Sequence, residues 1–323
     1  MANYASIQEL LNRQIVISSE QMRQVFGLAY KASKTETPVL IVGESGVGKE
    51  VLARYIHWAS VRGNRIFLPV NCGAIPDTLF EAQFFGYERG AFTSAFATHK
   101  GYFEQAEAGT LFLDETSEIP YHLQVKLLRV IEDKEIVRLG GEKPIATDVR
   151  IIAATNRKLL PLVQSGKFRH DLYYRIAVHV ISIPPLRERK DDIKALAYHF
   201  LSKHGRDGNA LADEALRKLY SYDWPGNVRE LESCIIRAVL FSDGGGLIRP
   251  EDIRFDVDEW QDDDSERNRL EEALRKCGGS IKSVAKELGV HRNTVYYRIK
   301  RFNIDLTEIR KFRNGRLTDQ EMK

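Results

Sequence analysis

The sequence predicts an α/β fold in which a parallel sheet carries a phosphate-binding loop and is followed by two smaller helical regions. Three observations lead to this prediction. A glycine-rich loop lies between an apolar run and a helical segment, and apolar runs alternate with helical segments up to about residue 185. Beyond that point the pattern is helical. In such a sheet the ligand is expected at the carboxyl ends of the strands.

Short apolar runs define the expected strands. They cover residues 38–42, 65–71, 109–114, 149–156 and 178–183. Helical periodicity is clearest at residues 22–29 and 51–57, and it dominates residues 190–242. An acidic stretch before residue 266 is typical of a solvated linker.

Composition limits the class of protein. The 323 residues are 43% hydrophobic and 29% charged, as in a soluble chain of two or three domains. No apolar run approaches the roughly 20 residues that cross a bilayer, and the first residues do not resemble a signal peptide. Widely spaced Cys72, Cys234 and Cys277 indicate buried thiols in a reducing cytoplasm. We therefore expect a cytoplasmic protein with no membrane partner. The net charge of +3 is too small to indicate nucleic acid by itself.

The glycine-rich loop fits the pattern Gly-x-x-x-x-Gly-Lys. Its residues are Gly43, Glu44, Ser45, Gly46, Val47, Gly48, Lys49 and Glu50. Glycines let backbone N–H groups surround phosphate oxygens, the helix N-terminus adds positive charge, and Lys49 reaches the β- and γ-phosphates. The motif alone arises by chance, but its flanking strand and helix favour a nucleotide site. Glu50 replaces the usual Ser or Thr ligand of Mg²⁺, so another carboxylate or water must hold the metal.

Two carboxylates end the strand at 109–114. Asp114 suits Mg²⁺ coordination and Glu115 suits polarising the attacking water, whereas in isolation they would be two solvated acids. Asn156 follows another strand, where its amide can sense the γ-phosphate or simply form a turn.

Three arginines suit an anionic ligand. Arg169 and Arg175 can neutralise the γ-phosphate of a neighbouring subunit, or form ordinary surface salt bridges. Arg229 begins a helix, where the dipole disfavours a cation, which hints at another anionic partner.

Taken together, these motifs resemble the AAA+ domain of bacterial enhancer-binding proteins, the transcription activators that act on sigma-54 RNA polymerase. The resemblance runs from about Ile15 to Ile304. Its most specific part, residues 85–95, is similar to the family's Gly-Ala-Phe-Thr-Gly-Ala loop, which contacts the sigma factor; the residues alone predict only a turn with an exposed aromatic. The loop positions are Gly90, Ala91, Phe92, Thr93, Ser94 and Ala95.

This resemblance implies an AAA+ sheet with a helical lid, ATP and Mg²⁺ as ligands, and roles for matching residues. Glu50 is usual in the family's Walker A loop, and Asp114 and Glu115 are its Walker B pair. By the same resemblance, Asn71 restrains the catalytic glutamate and Asn156 is the first sensor. Arg169 and Arg175 are arginine fingers that act across subunits, and Arg229 is the second sensor on the lid. Such fingers imply a homo-oligomeric ring, usually a hexamer.

Three departures from the family pattern are visible. Ser94 stands where the family has Gly; if that position needs φ > 0, Ser costs on the order of 1 kcal/mol, and sigma-54 remodelling is weakened while ATP hydrolysis survives. Ile17 stands where the family usually has Gly beside the adenine. No sensory domain precedes the ATPase, so we expect control by a separate regulatory protein, or an upstream portion that this chain lacks.

The last segment predicts a helix-turn-helix, which resembles the Fis type. Helix 280–289 ends at a glycine and a basic helix follows at 292–301, with Ala285, Leu288, Val290, Val295 and Ile299 as the core. Base edges and phosphates of upstream double-stranded DNA are the expected contacts of His291, Arg292, Asn293, Thr294, Tyr297, Arg298, Lys300 and Arg301. The alternative is a basic hairpin that binds another protein.

An apolar stripe precedes this motif. Leu270, Ala273 and Leu274 are expected to pair two copies, which would place two recognition helices about one DNA turn apart.

The expected boundaries are 1–185 for the α/β nucleotide-binding subdomain, 186–250 for the lid, 251–265 for the linker, 266–304 for the helix-turn-helix and 305–323 for a polar tail. The sequence thus predicts an ATP-dependent activator that remodels sigma-54 polymerase at upstream sites. The alternatives are a DNA-binding regulator without sigma-54 remodelling, suggested by Ser94, and a chaperone-like ATPase, which the helix-turn-helix argues against.

Overall fold

The computed structural model describes residues 15–206, 210–242, 246–255, 270–277 and 280–288, and positions 295, 299 and 304. The chain divides into two compact units, Met1–Ile253 and Arg254–Lys323. Among the described residues, no helix has the length and apolar character to cross a bilayer.

A five-stranded, wholly parallel sheet forms the centre of the first unit. Its strand order is β2-β3-β6-β1-β7. The strands are β1 (Val39–Val42), β2 (Phe67–Asn71), β3 (Thr110–Asp114), β6 (Arg150–Thr155) and β7 (His179–Ser182). Each lies within one of the predicted apolar runs, so the α/β prediction is confirmed.

A small antiparallel hairpin, β4 (Glu135–Ile136) and β5 (Ile145–Ala146), was not predicted. Strands of two residues are too short to leave a period-two pattern in the sequence.

Helices cover both faces of the sheet. They are α1 (Glu20–Ser33), α2 (Lys49–Trp58), α3 (Asp77–Phe85), α4 (Tyr102–Gln105), α5 (Tyr121–Asp133), α6 (Leu159–Gln164) and α7 (His170–Ile176). Alternate strand residues enter opposite cores, as the pleat requires. Phe112 and Ile152 pack with α1 and α2, whereas Leu111, Leu113 and Ile151 pack in the core on the other side. Burial on both faces explains why these strands are continuous apolar runs.

The helical region predicted after the sheet consists of α8 (Asp191–Lys203), α9 (Asp213–Ser221) and α10 (Asn227–Phe241). Short 3₁₀ turns lie at Cys72–Ala74, Thr116–Glu118, Leu186–Glu188 and Pro250–Asp252. The first of these turns directly follows β2, and the second follows β3 after the single residue Glu115.

The second unit contains helical residues 270–276 and helix α11 (Ile281–Glu287). Its core is formed by Leu270, Ala273, Leu274, Val284, Ala285 and Val295, with Leu288 and Ile299 packed against it. The predicted core is therefore confirmed except for Val290, which lies outside the described residues. The proposed pairing stripe is wrong, because Leu270, Ala273 and Leu274 are buried in the core of their own chain.

Candidate functional site

The predicted nucleotide-binding residues converge at the carboxyl edge of the sheet. Strand β1 leads into the loop at residues 43–48, and β3 and β6 end at Asp114 and Thr155, just before Glu115 and Asn156. Strands β3, β6 and β1 are neighbours in that order. The parallel register therefore brings the loop, the two carboxylates and the asparagine to one edge.

The loop conformation depends on glycine. Gly46 and Gly48 have φ values of 77° and 103°, in the left-handed region that favours glycine. A Cβ on Gly46 would lie 2.3 Å from the Gly226 carbonyl oxygen. Helix α2 begins at Lys49, directly after the loop, so its N-terminal N–H groups face the same site. This cradle fits an anionic phosphate.

Lys49 occupies the position from which a lysine reaches phosphates. Its side chain is buried, and Nζ donates to the carbonyl oxygens of Gly43 and Glu44, both at 3.0 Å. Burial lowers the pKa of the Lys49 ammonium, whereas the nearby Asp114 and Glu115 carboxylates oppose this shift. The lysine thus lies within electrostatic reach of both acids.

The catalytic candidate Glu115 has a left-handed backbone, with φ of 53°. Its N–H donates to Asp114 Oδ1 at 2.9 Å. A strained conformation of a non-glycine residue is common at functional sites. The left-handed turn and this hydrogen bond place Glu115 next to Asp114 at the end of β3.

Asn71 lies close to this carboxylate. It is registered opposite Asp114 at the ends of β2 and β3, and its Oδ1 accepts from the Gly73 N–H at 2.9 Å. A Cβ on Gly73 would lie 2.3 Å from Glu115 Oε2. Asn71, Gly73 and Glu115 are therefore neighbours, as a restraint on the glutamate requires.

The donor set fits a magnesium–nucleotide complex. Within the described ranges, no group of three or more His, Cys, Asp or Glu residues could hold a metal by itself. Mg²⁺ in nucleotide sites takes one or two carboxylates, water and phosphate oxygens, and Asp114 can supply such a carboxylate. Glu50, which follows Lys49 in place of Ser or Thr, pairs with Arg54 one helical turn later, at 2.6 Å.

The arginine candidates differ in their surroundings. Arg229 NH1 donates to Ser45 Oγ at 3.2 Å, which places it on the phosphate loop of its own chain. Arg169 precedes α7 and pairs with Asp171 at 2.7 Å, and Arg175 is exposed in the last turn of that helix. Their role across a subunit boundary stays a prediction.

The loop predicted to contact the sigma factor closes on itself. Gly90 N–H donates to the Ala95 carbonyl at 2.8 Å, and Ala95 N–H donates to the Phe92 carbonyl at 2.9 Å. Phe92 is 41% exposed, with its ring 4.9 Å from that of Tyr87. Ser94 does not have a positive φ, so the left-handed cost expected there does not arise in this conformation.

An unpredicted arginine supports the base of this loop. Arg138, in the β4–β5 hairpin, donates to Glu88 at 2.8 Å and to Glu104 at 2.6 and 2.9 Å. The carboxylates raise the pKa of its guanidinium, which stays charged. The sequence contained one usable signal, the Gly140-Gly141 pair that marks a tight turn beside Arg138.

Three parts of the chain match known protein families. Residues 15–182 match the family described as the Sigma-54 interaction domain. The chain belongs to the Sigma-54 interaction domain family. Residues 187–270 match the AAA+ ATPase lid domain, and residues 263–302 match the bacterial regulatory proteins of the Fis family.

Relatives of this Sigma-54 interaction domain chain include transcription regulators. The DNA-binding transcriptional activator HyfR of Escherichia coli (strain K12) is 42% identical over 323 residues, covering 91% of this chain and 48% of HyfR. The response regulator protein FleR of Pseudomonas aeruginosa is 50% identical over 235 residues, covering 72% of this chain and 50% of FleR. The chain thus spans about half the length of these relatives.

A solved structure of similar fold is NtrX from Brucella abortus in complex with ATP. The TM-score is 0.70 at 29% identity, covering 93% of this chain and 72% of that one. The fold of this Sigma-54 interaction domain is therefore a parallel-sheet AAA+ fold with a helical lid.

Sequence reasoning missed an ion pair and a hydrogen bond that join the lid to the Walker A loop of this Sigma-54 interaction domain. Arg187 donates to Glu44 at 2.6 and 2.9 Å, and Arg189 donates to the Val47 carbonyl at 2.8 Å. Arg187, then Asn227, lower the pKa of Glu44 from 4.5 to about 2. Because the folded pKa is the lower one, the stabilisation is complete above pH 4.5 and disappears only as the pH falls towards 2. The pair therefore persists at neutral pH.

All eight predicted DNA contacts lie outside the described residues: His291, Arg292, Asn293, Thr294, Tyr297, Arg298, Lys300 and Arg301.

Proposed function

We propose that this protein is an ATP-driven activator of sigma-54 RNA polymerase. One observation carries the proposal: Lys49, Asp114 and Glu115 meet at one sheet edge, in a domain that also presents the exposed Phe92 on a braced loop. ATP hydrolysis at the site formed by Lys49, Asp114 and Glu115 would move Phe92 against the sigma factor. The match to the Sigma-54 interaction domain supports this assignment.

The chemistry follows from the positions of the side chains. Loop N–H groups and Lys49 bind the phosphates, and Glu115 accepts a hydrogen bond from the attacking water and orients it in line. Asn71 lies where it can hold Glu115 away from that water until the partner is engaged. Mg²⁺, held at Asp114, would neutralise charge on the phosphates. Asn156 and Arg229 would respond to loss of the γ-phosphate.

We further propose a ring of identical subunits, in which Arg169 and Arg175 complete the neighbour's site. Lys49→Ala and Arg175→Ala proteins are each expected to be inactive. Mixing them should restore ATP turnover, because some interfaces then combine an intact Lys49 with an intact Arg175. The measurement is steady-state ATPase activity against the mixing ratio. Activity that stays at the level of the separate variants would contradict action across subunits.

The proposed interaction with sigma-54 is tested by measuring complex formation. The protein should bind purified sigma-54 in the presence of ADP with aluminium fluoride, and much less with ADP alone. Phe92→Ala is expected to weaken this binding at least about tenfold, because Phe92 supplies the exposed aromatic contact. Its ATP turnover without sigma-54 should change little.

Leu240→Ala is the matched control, since Leu240 is an exposed apolar residue on α10, 77% exposed. It should bind sigma-54 as the original chain does. A Ser94→Gly variant restores the family residue. If neither the original chain nor Ser94→Gly binds sigma-54 in any nucleotide state, the proposed partner is wrong.

The alternative of a regulator without remodelling activity depended on a strained Ser94. The φ of Ser94 is not positive, so the loop conformation does not favour this alternative.

We propose that residues 266–304 bind upstream double-stranded DNA, supported by the match to the Fis family. Bacterial DNA and polymerase are cytoplasmic, so the proposal places the protein there. Control by a separate regulatory protein belongs to the same proposal.

A further inference from the structure

Asn227 has an unusual position in the turn that opens α10. Its side chain is fully buried, with 0% exposure, and its φ is 56°. Asparagine tolerates a left-handed backbone better than most residues, but such a conformation still costs energy. The hydrogen bonds of its amide supply the compensation.

The amide joins the lid to the phosphate-binding loop. Nδ2 donates to the Ser45 carbonyl at 3.0 Å and to Glu44 Oε2 at 3.1 Å, and Oδ1 accepts from the Leu186 N–H at 2.8 Å. The adjacent Val228 N–H donates to the Gly46 carbonyl at 3.0 Å. Residues 44–46 of the loop are therefore held from outside by the first residues of α10.

Neither glycine nor aspartate meets all the demands that this asparagine meets. Glycine adopts the backbone without strain but has no amide. Aspartate keeps an acceptor for Leu186, but it places a second oxygen against the Ser45 carbonyl and the Glu44 carboxylate, which repel it. A hydrogen bond to the charged Glu44 is also stronger than one between neutral groups.

We propose that Asn227 is a positioning residue for nucleotide binding, which sets the shape of the phosphate loop from the lid through its amide. It bonds the outer side of the loop, at the Ser45 carbonyl, and leaves the loop N–H groups for phosphate. Loop shape and lid position are therefore coupled through this side chain, in addition to the Arg187–Glu44 ion pair and the hydrogen bond from Arg189 to the Val47 carbonyl. This inference rests on the proposed binding of ATP at the loop.

The test compares Asn227→Gly and Asn227→Asp with the original chain in equilibrium binding of ATP by calorimetry. Both variants are expected to bind ATP about tenfold more weakly or worse, since each loses the hydrogen bonds that hold the loop. The KM for ATP should rise accordingly. The kcat at saturating ATP should fall less than about threefold, because the side chains of Lys49, Asp114 and Glu115 are unchanged.

Rescue distinguishes positioning from general stability. Glu44→Gln removes the Arg187–Glu44 ion pair in either background, so the two double variants are compared with each other. With Asn227→Asp, the glutamine amide introduced at position 44 can donate to the new carboxylate, and ATP affinity should be higher than with Asn227→Gly, where position 227 offers no side-chain acceptor. Asn227→Gly, which relieves the backbone strain, keeps the test usable if Asn227→Asp does not fold.

Thermal unfolding is measured beside binding. A lower melting temperature with unchanged ATP affinity and unchanged KM would mean that Asn227 only stabilises the lid, and would overturn the proposal. If the original chain itself binds no ATP, the proposed function fails first, which is a different result.

Discussion

Replacing Lys49 with alanine is expected to lower ATP turnover at least about 100-fold, the usual loss when a preorganised charge at the reacting phosphates is removed. In the structure the Lys49 ammonium donates to two carbonyl oxygens of its own loop, Gly43 and Glu44, so its position is fixed before phosphate arrives. The measurement is steady-state ATPase activity, with circular dichroism to confirm an unchanged helix content.

Lys31→Ala is the matched control for this change. Lys31 is an exposed lysine of α1, and its loss should leave turnover within about twofold, as expected for a surface substitution. A Lys49→Ala protein with turnover close to that of the original chain would place ATP hydrolysis elsewhere. The DNA-binding role would then be all that remains of the proposal.

Trp224→Ala is expected to cause the largest loss of stability, about 3–5 kcal/mol in the free energy of unfolding. Trp224 is completely buried, its Nε1 donates to the Leu219 carbonyl at 2.9 Å, and its ring meets Tyr222 edge-on at 5.1 Å. The substitution leaves a large cavity and an unpaired carbonyl at the turn that carries Asn227. Urea unfolding followed by circular dichroism measures the change.

Trp58→Ala provides the comparison, because Trp58 is only half-buried at the end of α2. Its loss should be no more than about half as large, in proportion to the apolar area that leaves water on folding. Equal losses at the two sites would contradict the view that Trp224 anchors the lid. Trp224→Phe keeps most of the ring area but lacks the N–H donor. Beyond the loss due to the smaller ring, the missing hydrogen bond should lower the free energy of unfolding by only about 1 kcal/mol.

The local pattern of apolar residues was sufficient to predict the sheet and the ends of its strands. The run at 109–114 ends in Asp114 and Glu115, and a buried parallel strand must deliver its last side chains to the ligand edge. The five apolar runs therefore located both the fold and the candidate site. Asn71 came from the family resemblance alone, and the register opposite Asp114 supplies a geometric reason for it.

Contacts between distant segments were not predictable in the same way. Arg187 and Glu44 are 143 positions apart, and nothing in the spacing of either residue indicates the pair. Arg138 likewise meets Glu88 across 50 positions. The sequence gives no sign of the role of Asn227, because its left-handed φ and its bonds to the loop exist only in the folded chain.

One prediction was wrong because a pattern does not identify the partner. An apolar stripe such as Leu270 and Leu274 shows that a helix face will be covered, but not whether the cover comes from its own chain or a second copy. The cost expected at Ser94 depended on a positive φ, and the loop closes without one.

The distance along the chain between Gly46 and Asn227 has a consequence during translation. Asn227, which holds the loop at Ser45, follows Ser45 by 182 positions, so it leaves the ribosome well after the phosphate loop does. A nascent polypeptide that ends before α10 therefore lacks the groups that hold residues 44–46. Nucleotide binding should therefore be weaker in such an unfinished chain and reach its full strength only once the start of α10 has been synthesised.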